Sequence, residues 1–188
     1  MMWYLIFSKI YEKAGQRMCK ECKDFIKSGS KILDLGCGPA IITKVFQNFF
    51  QAEIVGVDIL DRRIFPIPFK IINGKSLPFS GNNFDAVLIA YVLHHSQDPI
   101  VLLKEAKRVT KDKIFIYEDL PEGIISSFFC KLHGFSFDKL FHNRDKTTFK
   151  REKEWGNIFK NLKLKVIFQK EVSSRLTPIR KKLFVLEK

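Results

Sequence analysis

At 188 residues, 46% of them hydrophobic and 28% charged, the chain is sized for one domain with its own core and has the composition of a globular protein, not a disordered one. No apolar run approaches the ~20 residues that cross a bilayer. The opening Met1-Met2-Trp3-Tyr4-Leu5-Ile6-Phe7 has neither a basic leader nor a small-residue cleavage site, so the expectation is a cytoplasmic protein without a transmembrane segment. The net charge of +13 fits nucleic acid, an anionic membrane or an acidic substrate as partner, and fits equally a lysine-rich solvated surface with no partner.

Residues 3–27 read as one or two amphipathic helices, with Ile6, Ile10, Ala14, Met18 and Phe25 near one face and Ser28-Gly29-Ser30 as the stop. Cys19 and Cys22 form a C-x-x-C inside that segment. A zinc site needs two more ligands, there is no second C-x-x-C, and the histidines are scattered at His94, His95, His133 and His142. A redox pair should follow a strand, so neither a metal nor a redox role is expected. From Lys31 onward strands near 31–35, 54–58, 68–72, 84–90 and 113–118 alternate with helices near 39–49 and 98–109 and a short turn at 60–63. That alternation predicts a parallel sheet covered on both faces. Pro39 suits a first helical position, and Asp98 suits an N-cap before Pro99. Residues 162–172 and 181–186 read as two strands joined through Pro178.

The first strand breaks into Asp34-Leu35-Gly36-Cys37-Gly38, and the second ends in Asp58. A dinucleotide turn of the G-x-G-x-x-G kind fails, because its third glycine position is Ile41. No Gly-Lys-Ser or Gly-Lys-Thr follows the turn, and Gly74-Lys75-Ser76 lacks the preceding glycine of a P-loop. Asp34, two residues before Gly36, repels a phosphate and attracts an ammonium or a sulfonium. S-adenosylmethionine carries both cations and no phosphate. Gly36 and Gly38 let the backbone approach such a ligand, Cys37 is a small residue tolerated between them, and Asp58 can accept both ribose hydroxyls at the ligand-binding end of a parallel sheet. Asp34 serves the ammonium or only braces the turn.

These residues resemble the first motif and the ribose-binding acid of class I S-adenosylmethionine-dependent methyltransferases. Leu77-Pro78-Phe79, Phe84 through His95 and Leu102 through Val109 are similar to the small-molecule branch typified by quinone-biosynthesis methyltransferases, so the resemblance covers roughly residues 29–120. It implies a three-layer α/β/α Rossmann-like fold with a seven-stranded, mostly parallel sheet ending in an antiparallel hairpin. The expected single domain has an N-terminal helical cap over 1–28, a cofactor core over 29–119, and a lid with the C-terminal hairpin over 120–188. The implied cofactor residues are Asp34, Gly36, Cys37, Gly38, Asp58, Ile59, Asn73, Gly74, Ala90 and Tyr91, and Tyr4 and Tyr11 of the cap either touch ligand or pack on the sheet. Two positions depart from the family pattern: Asn73 stands for an aspartate that bonds the adenine amino group, and Ala40 stands for the common third glycine.

Methyl transfer from a sulfonium is an in-line displacement, so alignment and desolvation come first and a base only where the acceptor must lose a proton. No Asn-Pro-Pro-Tyr or Pro-Cys motif points to a nucleic-acid base. His94, His95 and Glu118, with Asp119 beside it, are the candidate bases at the cleft mouth. For the histidines the alternative is one packed inward and one solvated. Phe128, Phe129, Phe135 and Phe137 in the lid suit a small aromatic or lipid-like acceptor, or are the lid's core. Basic clusters around Lys139, Arg144, Lys146, Lys150 and Arg151, interleaved with Phe141, Phe149 and Trp155, and from Arg175 to Lys182, leave an RNA or protein acceptor as the alternative. A third reading is a cofactor-binding protein without turnover.

Overall fold

The computed structural model describes residues 2–141, 147–173 and 177–188. His142, Arg144, Lys146 and Arg175, and the side chains of Tyr4, Phe137 and Phe141, lie outside what is described. A long helix α1 (Met2–Cys22) precedes β1 (Lys31–Leu35), α2 (Ile41–Phe50), β2 (Glu53–Asp58), β3 (Phe69–Ile71) and β4 (Phe84–Ala90). After β4 come a 3-10 turn (Leu93–His95), α3 (Pro99–Val109), β5 (Thr110–Leu120), α4 (Gly123–Phe141), α5 (Glu152–Asn161), β6 (Lys165–Glu171) and β7 (Arg180–Glu187). The seven strands stand in the order β3-β2-β1-β4-β5-β7-β6. β1 to β5 pair in parallel, and β7 lies antiparallel between β5 and β6. The expected mostly parallel sheet with a C-terminal hairpin is therefore the fold.

Period-two alternation explains the three layers. Leu33, Leu35, Val87, Ile89, Ile114 and Ile116 point to one face, where α3 and α5 cover them with Leu102, Leu103, Ala106, Trp155 and Phe159. Ile32, Ile54, Ala86, Leu88, Phe115 and Tyr117 point to the other, under Met18, Cys19 and Cys22 of α1 and Phe46 and Phe50 of α2. Each fully buried aliphatic or aromatic chain contributes about 1.5–3 kcal/mol, so both layers are held chiefly by this burial. Two expected segments differ. α1 ends at Cys22 instead of running to residue 27, and residues 60–63, expected as a short turn, instead run irregularly after a bend at Ile59 and Leu60. There the Asp61 carboxylate holds the backbone and guanidinium of Arg63, whose head lies 4.3 Å over the Phe69 ring, and that local pairing competes with a helical turn.

The Leu77-Pro78-Phe79 segment is fixed by α3. Leu77 N donates to Glu105 at 2.7 Å, while Arg108 donates to Phe79 O at 2.7 Å and Leu77 O at 3.0 Å. The motif residues of this segment and of α3 thus hold one another. At the start of α3, Asp98 Oδ1 accepts from Ile100 N and Val101 N, both at 3.0 Å, with Pro99 in the first turn. Asp98→Ala should therefore cost about 1 kcal/mol, within the ~0.5–2 usual for losing an N-cap, with the denaturation slope unchanged. Chemical denaturation checks this, and an unchanged midpoint would refute the cap.

Candidate functional site

Parallel sheets bind ligands beyond the carboxyl ends of their strands, where the strand order reverses, and here that point lies between β1 and β4. The chain leaving β1 is tied to β2: Gly36 N and Cys37 N both donate to Val57 O, at 2.8 and 3.1 Å, and Gly38 N donates to Asp58 Oδ2 at 2.9 Å. Gly36 has φ +82°, and a Cβ there would stand 2.4 Å from Val92 Cγ2 behind β4. Val92 by itself therefore demands glycine at this position. Gly38, at φ +50°, would meet nothing within 4 Å, so open space faces it. Ala40 keeps the left-handed conformation of the missing third glycine, with φ 61°, while its methyl is buried beside Cys37 and Ile67. Cys37 is buried, and its Sγ lies 2.7 Å from where a Cβ on Gly56 would be, so the small residues at both positions fit together.

Asp34 is 2% exposed, and its Oδ2 accepts from Thr43 Oγ1 of α2 at 2.6 Å. Burial pushes its carboxyl up to about 7, the Asp58 charge adds to the rise, and the Thr43 bond opposes it. Asp58 Oδ1 accepts from Ile59 N at 2.7 Å. Ile59 is 56% exposed, and a Cβ on Gly74 would sit 3.6 Å from its Cγ2, which brings the residues after β2 and β3 side by side. Asn73 Oδ1 accepts from Lys75 N and Ser76 N at 2.9 and 3.0 Å, so its oxygen shapes its own turn. Ala90 closes β4, and Tyr91, with φ +59°, turns the chain away while its N donates to Tyr117 O at 2.8 Å.

Beyond Tyr91 the turn carries both expected histidines. His94 is buried, with Nδ1 2.6 Å from Glu118 Oε2, and Glu118 Oε1 accepts from Leu93 N at 3.0 Å. Both oxygens of the fully buried Glu118 are thus engaged, so it positions His94 and the turn and does not face the cleft. Burial opposes the charged form of His94, but the Glu118 charge and hydrogen bond outweigh it and the net shift is upward. His95 Nδ1 lies 3.0 Å from Thr147 Oγ1, and burial, with His94 and His133 nearby, drives its imidazole down to about 2. His133 of α4, also lowered by burial, stands beside both. Histidines scattered in the sequence therefore converge in space. Thr43, Val92, Thr147 and Asp138 support the site without having been singled out beforehand, and Phe149, read only as an aromatic of the basic cluster, joins them. Thr43 left a trace as a polar residue on the apolar face of its helix.

Of the remaining sequence candidates, Cys19 and Cys22 are buried and free, and burial pushes both thiols up to about 12, the behaviour of core residues. Cys130 is buried in α4. Phe128 and Phe135 are 62% and 68% exposed, so these aromatics are not the core of the lid. A cleft of about 830 Å³ runs between α4 and residues 147–154, lined by Cys130, Gly134, Phe135, Thr147, Phe149 and Glu154 among others. In the second basic cluster Arg180 pairs with Glu171 at 2.6 Å, Lys181 with Asp119 at 3.0 Å and Lys182 with Glu152 at 2.5 Å. Among the described residues, no helix is long and apolar enough to cross a membrane.

Residues 33–116 match the profile of a family described as a methyltransferase domain. The chain is 36% identical over 106 residues to an uncharacterized methyltransferase of Schizosaccharomyces pombe, covering 46% of this chain and 38% of that protein. It is 33% identical over 105 residues to the demethylmenaquinone methyltransferase of Corynebacterium efficiens, covering 53% of this chain and 45% of the relative. The chain thus spans less than half the length of either relative. Its fold is similar to a chain from the complex between the Haloferax volcanii Trm112 methyltransferase activator and a methyltransferase, with a TM-score of 0.74, 16% identity, and coverage of 96% of this chain and 92% of that one.

The two glycines of the turn should separate in their response to a methyl group. Gly36→Ala forces a clash with Val92 at a left-handed φ and should cost about 3 kcal/mol or more, partly recovered by adding Val92→Ala. Gly38→Ala meets only the left-handed penalty, about 1–2 kcal/mol. Denaturation midpoints of the three variants test the distinction, and equal losses for Gly36→Ala and Gly38→Ala would overturn it.

Proposed function

We propose that this chain, whose residues 33–116 are a class I S-adenosylmethionine-dependent methyltransferase domain, transfers the methyl group of that cofactor to a small, largely apolar acceptor held under α4. The observation that carries this reading is the pair of carboxylates, Asp34 and Asp58, flanking a glycine turn whose Gly38 faces open space. Such a cradle fits a ligand with a cationic amino-acid end and a ribose, and a buried carboxylate in it disfavours a diphosphate.

S-adenosylmethionine, when bound, supplies an electrophilic methyl group on a sulfonium that an acceptor atom displaces in line. Asp34 receives the ammonium and Asp58 the ribose hydroxyls, since Asp34, bonded by the Thr43 hydroxyl, and Asp58, bonded by backbone N–H groups, each keep lone pairs that can accept further. Exposed Ile59 and Gly74 offer a flat apolar seat for the adenine, and Ala90 with Tyr91 forms the floor at the end of β4. Cys130, Phe135 and Phe149, which line the cleft between α4 and residues 147–154, give the acceptor an apolar wall that limits water and favours the alignment an in-line displacement needs. The likeness to demethylmenaquinone methyltransferase supports an aromatic, lipid-like acceptor.

The alternative of an RNA or protein acceptor rests on the basic C-terminal third. The pairing of Arg180, Lys181 and Lys182 with carboxylates leaves that region with less free charge than its sequence suggests. The decisive assay transfers a labelled methyl group from the cofactor to phenolic and quinol-type acceptors and, in parallel, to RNA and protein. Labelling of RNA alone would replace the small-molecule reading. Cofactor binding with no labelling would favour a non-catalytic protein, or one that needs an activator subunit of the kind present in the Haloferax complex.

Two outcomes test the cofactor residues. Asp58→Ala should weaken binding of the demethylated cofactor about tenfold or more in calorimetry, the loss expected for hydrogen bonds to a charged group, and unchanged affinity would remove the ribose assignment. Asp34 has its carboxyl raised above the ordinary range, so its protonated form stabilises the fold at acid pH and that contribution is lost as pH rises through about 7. An ammonium prefers the carboxylate, so binding below that pH should release a proton and affinity should rise from about pH 6 to 8. Calorimetry in buffers of different ionisation enthalpy measures the release, and Asp34→Asn should abolish it. A binding heat independent of buffer would sink the assignment.

A further inference from the structure

His94 and His95 on the turn after β4 and His133 on α4 each offer a ligand nitrogen, and the three atoms lie within 4.8 Å of one another. The rings sit 4.1 Å apart for His94 and His95 and 5.6 Å for His95 and His133, measured between centroids. His94 is 1% exposed, and its Nε2 is buried without a hydrogen-bond partner. A buried imidazole nitrogen left in that state is unusual, because such groups are nearly always satisfied.

Hydrogen bonding also fixes which nitrogen two of the rings present. The carboxylate of Glu118 only accepts, so the bond to His94 Nδ1 is donated by Nδ1–H and leaves Nε2 to act as a ligand. Thr147 Oγ1 donates its single hydrogen to Asp138 Oδ1 at 2.6 Å, so it must accept from His95 Nδ1–H, and Nε2 again becomes the ring's acceptor atom. A carboxylate behind each of two histidines, one direct and one through a hydroxyl, is the arrangement that orients ligating imidazoles and raises their basicity. Phe149 stacks on His94 at 4.8 Å, Thr148 N donates to His94 O at 2.8 Å, and Thr147 N donates to Asp138 Oδ2, so the residues after the lid helix brace the same cluster.

We propose that His94, His95 and His133 form a three-histidine site for a divalent transition metal, zinc first, that clamps α4 to the turn after β4. Three neutral nitrogen donors suit zinc and its neighbours and do not suit calcium or magnesium, which take oxygen ligands. Bonds of about 2.0–2.1 Å place tetrahedral ligand atoms about 3.3 Å apart, so metal entry draws the rings together by small side-chain rotations. Buried Glu118 and nearby Asp138 offset the added charge. Three protein ligands leave a fourth position for water or for an acceptor atom. The site lies three residues past Tyr91, at the same sheet edge as the glycine turn, but it does not depend on the methyltransferase reading.

The test uses the full chain without a histidine tag, stripped by chelation and then titrated with Zn²⁺ and with Co²⁺. One zinc per chain should bind, thermal stability should rise with zinc, and cobalt should give the intense visible bands of a four-coordinate ion. His133→Gln should weaken zinc binding by about a hundredfold or more and abolish the cobalt bands, leaving the circular dichroism spectrum and the affinity for the demethylated cofactor unchanged. Asp138→Asn should weaken zinc about ten- to hundredfold through the support of His95. No saturable binding of either ion, a weak six-coordinate cobalt spectrum, or binding indifferent to His133→Gln would overturn the site. Cofactor affinity, read on the same samples, distinguishes failure of the metal site from failure of the cofactor site.

Discussion

The close approach of the β1 exit to Val92 governs the functional end of this molecule. Gly36 has room for no side chain because Val92 fills that space, and the same residue gives up its N–H to Val57 on the other flank. The turn after β1 is thereby held between β2 and the segment after β4. One contact couples the two halves of the site, since the glycine turn and Asp58 lie on one side of it and the histidine turn begins one residue past Val92 on the other. Backbone at φ +82° and a side-chain contact under 3 Å from a would-be Cβ leave little tolerance for displacement.

Two buried carboxylates follow from this geometry, and they behave differently. Asp34 takes one hydrogen bond from Thr43 and is pushed toward its neutral form, which stores a preference for a cationic partner. Glu118 takes a backbone N–H and an imidazole, so its charge is already spoken for and it acts through His94. Burying a charge costs several kcal/mol unless it is paired, so each acid must be matched by a donor that the fold delivers to it. The third acid of this edge, Asp119, is matched by Lys181 of β7, which also lies 4.4 Å over the Tyr91 ring. Part of the +13 charge therefore works at short range, holding the sheet edge where the strands end.

Helix α4 combines two opposed properties. Ile124, Ile125, Phe128 and Phe135 are more than 60% exposed, while Ser126 and Cys130 of the same helix are buried against the sheet. A helix with apolar residues on its outer surface gains little from burial, so its position depends on the few polar contacts beneath it. Ser126 Oγ donates to Leu120 O at 2.6 Å and Ser127 Oγ to Pro121 O at 2.7 Å, anchoring its first turns. Farther along, His133 and Asp138 face the histidine turn and Thr147, and those contacts place the far half of the helix.

The sequence by itself determined the elements whose signals are local. Short apolar runs set the strands, near-continuous because both faces of the sheet are buried. The glycine turn with Asp34 and Asp58 was legible because backbone freedom and a strand-end carboxylate are written in adjacent letters. The strands β6 and β7 were readable as two runs joined through Pro178, and their pairing as a hairpin came from the family resemblance. Segment 60–63 was misread because an Asp61–Arg63 pairing satisfied the backbone in another way. Only the tertiary structure decided that Gly36 answers to Val92, that Asp34 is buried on Thr43, that Asn73 spends its oxygen on its own turn, and that His133 stands beside His94 and His95. Those relations join residues far apart along the chain, and they exist only where parallel strands and a returning helix bring their ends to one edge of the sheet.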